Sequence, residues 1–147
     1  MSSFAPFTPD LFAAHEDAFL AIAADQPHEY WRAEHFLAER PGKWRLSFAA
    51  MAQPEAVPIG YAILSQPEPA RVHLHHFMLR ADRRGHGLGT RMLDECVRRA
   101  RAAGASDLTL KIDRAAPRAR AFYARAGFVE ADDGAPYLGA RLSLDAR

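Results

Sequence analysis

Arg84-Gly85-His86-Gly87-Leu88-Gly89-Thr90 carries the densest chemical information in the chain. Three glycines stand at alternate positions, entered from an apolar run and left by a run with helical periodicity. Glycine accepts the left-handed backbone of a sharp turn and lets main-chain amides approach a ligand with no Cβ in the way. The first turn of the following helix adds unpaired N–H groups and the positive end of its dipole, so the segment reads as a site for a phosphate-bearing ligand. Spacing separates it from two familiar phosphate loops. A Walker loop needs lysine after its last glycine, and here Thr90 follows Gly89 directly. A dinucleotide loop needs Gly-x-Gly-x-x-Gly, and the third glycine arrives one residue too early. A glycine-rich turn that merely ends a strand is the plainer reading of the same residues.

His73, His75 and His76 crowd the run just upstream. Imidazole titrates near neutrality and suits a general base. Strand alternation puts His73 and His75 on one face and His76 on the other, unless a bulge intervenes. Alternate histidines can also chelate zinc or iron, but no third ligand of suitable spacing follows and the glycine loop would go unexplained, so no metal site is read. Cys96 falls on the apolar stripe of the helix after the loop and reads as an inert core thiol.

These residues need elements to position them. Thr8-Pro9 reads as a helix N-cap with proline in the first turn; Leu11, Phe12, His15, Phe19 and Ile22 continue the helix until Asp25-Gln26-Pro27 ends it. A second short helix is expected from about Glu29, stopped by Pro41-Gly42. Trp44–Met51 and Ile59–Ser65 read as strands of a hairpin with a longer loop, and Val72–Leu79 as the strand that feeds the glycine loop. Leu88, Met92, Cys96 and Ala100 recur every four residues, with Leu93 and Val97 widening the stripe, and Gly104 closes that helix. Leu108, Leu110 and Ile112 alternate as a strand. Pro117 opens a last helix, Gly127 ends it, and Phe128–Ala131 and Tyr137–Leu144 read as a terminal antiparallel pair. A strand, a helix and a second strand in parallel require a right-handed crossover, whereas the hairpins are antiparallel.

At 147 residues the chain suits one domain with a sizeable core. Its 49% hydrophobic and 25% charged residues are those of a globular protein. A net charge of +1 gives no reason to expect nucleic acid as a partner. No apolar run approaches the roughly 18 residues of a membrane span, and no secretory signal is read, so no membrane partner is expected. A single cysteine fits a reducing compartment, and the expected location is cytoplasmic.

Arg84-x-x-Gly87-x-Gly89 between strand and helix resembles the pyrophosphate-binding motif of the GNAT superfamily, the acyl-CoA-dependent N-acetyltransferases. Ala121-Phe122-Tyr123-Ala124-Arg125-Ala126-Gly127-Phe128 is similar to the family's later helix, which ends in a tyrosine followed by Gly-Phe. The resemblance covers roughly residues 29–131 and weakens toward both ends. It implies an α/β (α+β) fold over 1–147, with a mixed, mostly antiparallel central sheet and helices on both faces. The family's first strand, before Thr8, is expected to be short or absent here.

The resemblance also implies chemistry. Acetyl-CoA is the co-substrate, its pyrophosphate on the amides of Arg84, Gly85, His86, Gly87, Leu88, Gly89 and Thr90 and its pantetheine arm along Phe77, Met78 and Leu79. Backbone groups of that strand would face the thioester carbonyl, where an aimed amide stabilises the developing oxyanion. Tyr123 falls beside the sulfur as a general acid, or is a buried structural tyrosine. His73 occupies a position at which some members carry a catalytic glutamate, and His75 is nearer the acetyl site. Water as the proton acceptor stays open beside both. Two positions depart from the pattern. Ala116 stands where many members have asparagine, and Lys111 stands where N-terminal acetyltransferases of the ribosomal-protein type carry a glutamate base. The acceptor is expected at the loop Asp25–Trp31 and the residues after it, where Tyr30, Trp31 and Glu34 would suit a cationic amine. Tyr30 and Trp31 packing against the sheet edge is the alternative. The implied activity is acetyl transfer to a primary amine, of a small molecule or a peptide N-terminus, by direct attack in a ternary complex. A non-catalytic acyl-CoA-binding sensor is the alternative, and a homodimer stays open.

Overall fold

The computed structural model describes residues 2–26 and 29–145, so Pro27 and His28 of the expected acceptor loop lie outside the described residues. The first strand is present and short, at five residues. β1 (Ser2–Pro6) pairs antiparallel with β2 (Phe48–Ala52), and its alternation is too brief to stand out in the sequence. Thr8 caps α1 (Pro9–Ala14), its Oγ1 accepting from the Leu11 amide at 3.1 Å. His15 leaves helical geometry and separates α1 from α2 (Glu16–Ala23).

The second expected helix is reduced to α3 (Ala33–Leu37), and the expected strand from Trp44 begins as a short helix, α4 (Lys43–Leu46). Lys43 explains both. Its fully buried ammonium donates to the carbonyls of Phe36 and Ala38, each at 2.6 Å, and so terminates α3 and anchors α4 beneath it. Burial lowers the Lys43 pKa to about 8. The strand starts only at Phe48.

β3 (Val57–Glu68) and β4 (Arg71–Leu79) complete an antiparallel run. The glycine loop then leads into α5 (Leu88–Ala102), which crosses over to β5 (Asp107–Asp113), parallel to β4. After α6 (Pro117–Arg125), β6 (Val129–Ala131) and β7 (Tyr137–Ser143) form the expected antiparallel pair. β7 inserts between its partner and β5, giving the order β1-β2-β3-β4-β5-β7-β6. Every neighbouring pair but β4–β5 is antiparallel.

Each face of the sheet has its own core. Val72, Leu74, Leu108 and Leu110 pack under Met92, Leu93 and Cys96 of α5. Tyr61 and Ile63 pack on the other face under Phe12, Phe19 and Phe36 of α1–α3. At Gly60 a Cβ would lie 2.9 Å from the Met78 carbonyl, so this position of β3 admits only glycine. No helix among the described residues is long and apolar enough to cross a membrane.

Candidate active site

β4 and β5 are paired only from Arg71–Leu74 to Asp107–Leu110. Beyond that the strands part, and among the described residues His75–Leu79 have no strand partner on that side. A cleft of about 820 Å³ opens there, between β4, the glycine loop and α6. The Arg80 amide donates to the Ile59 carbonyl at 2.7 Å, which sets the pleat: residues 78 and 80 face β3, and the main-chain groups of Phe77 and Leu79 face the cleft.

Phe77, Met78, Leu79, Arg84, Gly85, Gly87, Gly89 and Thr90 all border this cleft, whereas His86 is exposed on the outer turn and Leu88 is a core residue. Gly85 and Gly87 have φ of 80° and 85°, and a Cβ at either would meet nothing within 4 Å. The loop therefore has both the conformation that favours glycine and open space on its ligand side. Gly87 is the N-cap of α5 and offers no side-chain oxygen, so the first-turn amides stay available to an anion. The Arg84 guanidinium lies across the mouth and donates to the Leu79 carbonyl at 3.0 Å and to Asp25 at 3.4 Å. A diphosphate-bearing thioester suits these residues in shape and charge.

Sequence parity would put His76 opposite His73 and His75. A β-bulge intervenes: Ile63 pairs with His76 and Leu64 with Leu74, leaving His75 as the extra residue. All three histidines consequently turn to the face covered by α1–α3. His75 Nε2 and Ser65 Oγ share a hydrogen bond of 2.6 Å, and His73 Nδ1 and Thr109 Oγ1 one of 2.8 Å. The two imidazoles meet edge-on at 4.7 Å. His76 is stacked on Trp31 and bonded through Nδ1 to the Tyr61 hydroxyl at 2.7 Å. Its Nε2 is buried without a hydrogen-bond partner among the described residues. Burial holds all three rings neutral, lowering His73 to about 4, His75 to about 3 and His76 to about 4. Neighbouring cations add to the shift at His73 and His75, and the nearby Glu29 main chain opposes it in part at His76.

Tyr123 on α6 packs among Phe77, Phe122 and Phe128, and burial pushes its phenol upward, so it holds its proton at neutral pH. Tyr123 borders both the large cleft and a smaller inner chamber of about 110 Å³. That chamber also touches Glu29, His75, His76, Lys111 and Asp113. It adjoins an outer chamber of about 390 Å³ lined by Glu29, His73, Leu74, His75, Lys111 and Tyr137. The structure thus brings Tyr123, His75 and the Phe77–Leu79 edge together, with His73 one layer further out.

Tyr30, Trp31 and Glu34 border none of these spaces. Trp31 is 7% exposed and supports His76, Tyr30 is 47% exposed, and Glu34 lies on the outer side of α3. Asp25 and Gln26 of the same loop line the cleft instead. Glu29 belongs to the expected acceptor loop, whereas Asp113 carries no signal in the sequence, and the two meet only in three dimensions. Burial and the Asp113 charge both raise the Glu29 carboxyl pKa.

The profile of the Acetyltransferase (GNAT) family matches residues 8–128. The chain belongs to that family, whose members carry out acetyl-CoA-dependent acyl transfer. No curated protein matches it by sequence. Among solved structures it is similar in fold to Ard1 from Thermoplasma volcanium, with TM-score 0.81, 15% identity and 97% of each chain covered. The ribosomal-protein-S18-alanine N-acetyltransferase from Escherichia coli superposes with TM-score 0.78 at 18% identity, over 100% of this chain and 96% of that one. A GNAT family acetyltransferase from Elizabethkingia anophelis, solved with acetyl-CoA bound, matches 66% of this chain and 74% of its own, with TM-score 0.60 and 13% identity.

Proposed function

We propose that this protein is an N-acetyltransferase that moves an acetyl group from acetyl-CoA to a primary amine by direct attack in a ternary complex. The observation that carries the proposal is the position of Tyr123, on the boundary between the 820 Å³ cleft and the inner chamber. Donor and acceptor entering from the two sides would meet at that ring. The loop amides from Arg84 to Thr90 hold the diphosphate, and the open edge of Phe77–Leu79 receives the pantetheine arm and aims an amide at the thioester oxygen.

The amine nitrogen forms its bond to the carbonyl carbon as the carbon–sulfur bond breaks, and the departing thiolate takes the Tyr123 proton. The amine enters as an ammonium of pKa about 10 and must lose one proton to water before its lone pair can attack, and a second proton to become the amide. His75 borders both chambers and is neutral, so it receives the second proton, shed by the nitrogen once bonded to the carbonyl carbon, with His73 behind it. Its basicity is low, which places the transfer after attack, when the nitrogen has become more acidic. A small-molecule amine and a peptide N-terminus both remain acceptor classes.

Release of CoA thiol with a panel of amines tests the reading. Turnover with at least one primary amine supports it. Tight acetyl-CoA binding with no release under any amine assigns the protein to the acyl-CoA sensors instead.

A further inference from the structure

The charges around the two chambers bear on what the acceptor carries besides its amine, an inference that rests on the acetyl-transfer reading. Asp113 borders only the inner chamber, whereas His73 and Tyr137 border only the outer one. Lys111 on β5 is exposed and lines both. Among the described residues no carboxylate lies within ion-pair distance of Lys111, nor of Arg40. Arg71 approaches the same floor from the far end of β4, its Nη1 donating to Thr109 Oγ1 at 3.2 Å, and Thr109 in turn bonds His73. Arg71, Lys111 and Arg40 all act on His73, which helps to keep that ring neutral. The outer chamber is therefore floored by neutral imidazoles and lined by the cation Lys111, with Arg71 and Arg40 near enough to act on the same histidines. Asp113 faces only the inner chamber and Glu29 lies on the boundary of the two, so the acidic end is the inner one; Glu29 has no cation of its own within ion-pair distance among the described residues.

The geometry points to an acceptor that carries a carboxylate a few bonds from its primary amine, the ammonium entering beside Glu29, Asp113 and Tyr123 and the carboxylate resting on Lys111 in the outer chamber. A purely cationic amine would leave Lys111 unpaired and add a like charge to the cations acting on His73. A carboxylate there gains a charge-assisted hydrogen bond and offsets that field. The same chemistry occurs in a free amino acid and in a peptide whose first residue is acidic.

The test uses amine pairs that differ only in the carboxylate: β-alanine against its amide, and a peptide beginning with aspartate against one beginning with asparagine. CoA thiol release at saturating acetyl-CoA is expected to show a kcat/KM preference for the acid of about tenfold or more in at least one pair, shrinking as salt is raised. Lys111→Met should level the preference, Lys111→Glu should reverse it, and Lys111→Arg should retain it. Preference confined to the free acid or to the peptide supports the proposal and assigns the source. Equal rates within both pairs, or a ratio unchanged by Lys111→Met, overturn it. Should no amine turn over, the acetyl-transfer reading falls. Calorimetric titration of β-alanine and its amide into the CoA-saturated protein then decides the acceptor inference, with tighter binding of the acid lost in Lys111→Met as the supporting result and equal affinities as the refuting one.

Discussion

The Tyr61 hydroxyl and His76 Nδ1 lie 2.7 Å apart within the aromatic core of the α1–α3 face, and Trp31 stacks on the imidazole at 4.5 Å. Tyr61 is fully buried, so the imidazole is its only neighbour within hydrogen-bonding reach among the described residues. Tyr61→Phe keeps the ring and strips a buried nitrogen of its partner. Leaving such a group unsatisfied costs about 1–3 kcal/mol. A urea melt should show the midpoint fall by that free energy divided by the slope, with the slope itself unchanged. A midpoint equal to wild type would mean that the hydroxyl contributes nothing to holding His76.

The same histidine sets a pH dependence of stability. His76 titrates at about 4 in the native protein and near 6.5 in an unfolded chain. Between those values the unfolded state binds a proton that the native state refuses, so stability is complete above about pH 6.5 and declines as pH falls toward 4. The full shift at this buried ring corresponds to about 3 kcal/mol, and His73 and His75 act in the same direction. Thermal melts at pH 7.5 and pH 5 should differ, with the acidic sample melting lower. Replacing His76 by asparagine should flatten part of that difference, and a profile indifferent to the substitution would locate the effect elsewhere.

Long periodic elements were legible in the sequence; local exceptions to periodicity were not. The apolar stripe from Leu88 to Ala100 and the glycine at 104 mark α5 because a fifteen-residue helix repeats its pattern several times. β1 has five residues and α4 has four, which is too few for either period to declare itself. Trp44 and Leu46 look like strand residues, and a lysine buried under three carbonyls overrides them. The bulge at His75 is set by the pairing of β3 with β4, so parity counted along β4 alone assigns His76 to the wrong face. The glycine loop was readable because backbone conformation is written in residue type. Glu29 lies in the expected acceptor loop, but its meeting with Asp113 was not readable, because that depends on how β5 and the loop after α2 converge.

Gly87 separates a conformational role from a mere turn. At φ 85° a valine would sit in left-handed backbone, at a cost of about 1–2 kcal/mol, on the open side of the glycine loop. Gly87→Val should weaken acetyl-CoA binding by about tenfold or more by calorimetry. Gly104, at φ 82° beyond the far end of α5, provides a control with the same strain away from the cleft. Gly104→Val should lower the melting temperature and leave coenzyme affinity within about twofold. Equal loss of affinity in both variants would trace the effect to α5 as a whole.

Tyr123 is where the proposed chemistry and a structural role make different forecasts. Its ring packs edge-on against Phe122 at 5.1 Å and Phe128 at 5.5 Å, contacts that phenylalanine would keep. The hydroxyl alone is lost in Tyr123→Phe. A general acid contributes about 10²–10⁴ in rate, whereas the contacts proposed to bind the coenzyme lie mainly in the loop and along β4. The variant should therefore lose at least about a hundredfold in kcat with KM for acetyl-CoA nearly unchanged. A thioester with a more acidic leaving thiol needs less help from a proton, so its turnover should fall far less than that of acetyl-CoA. A uniform loss across both thioesters, or a change confined to KM, would assign Tyr123 to packing and leave the departing sulfur to be protonated by solvent.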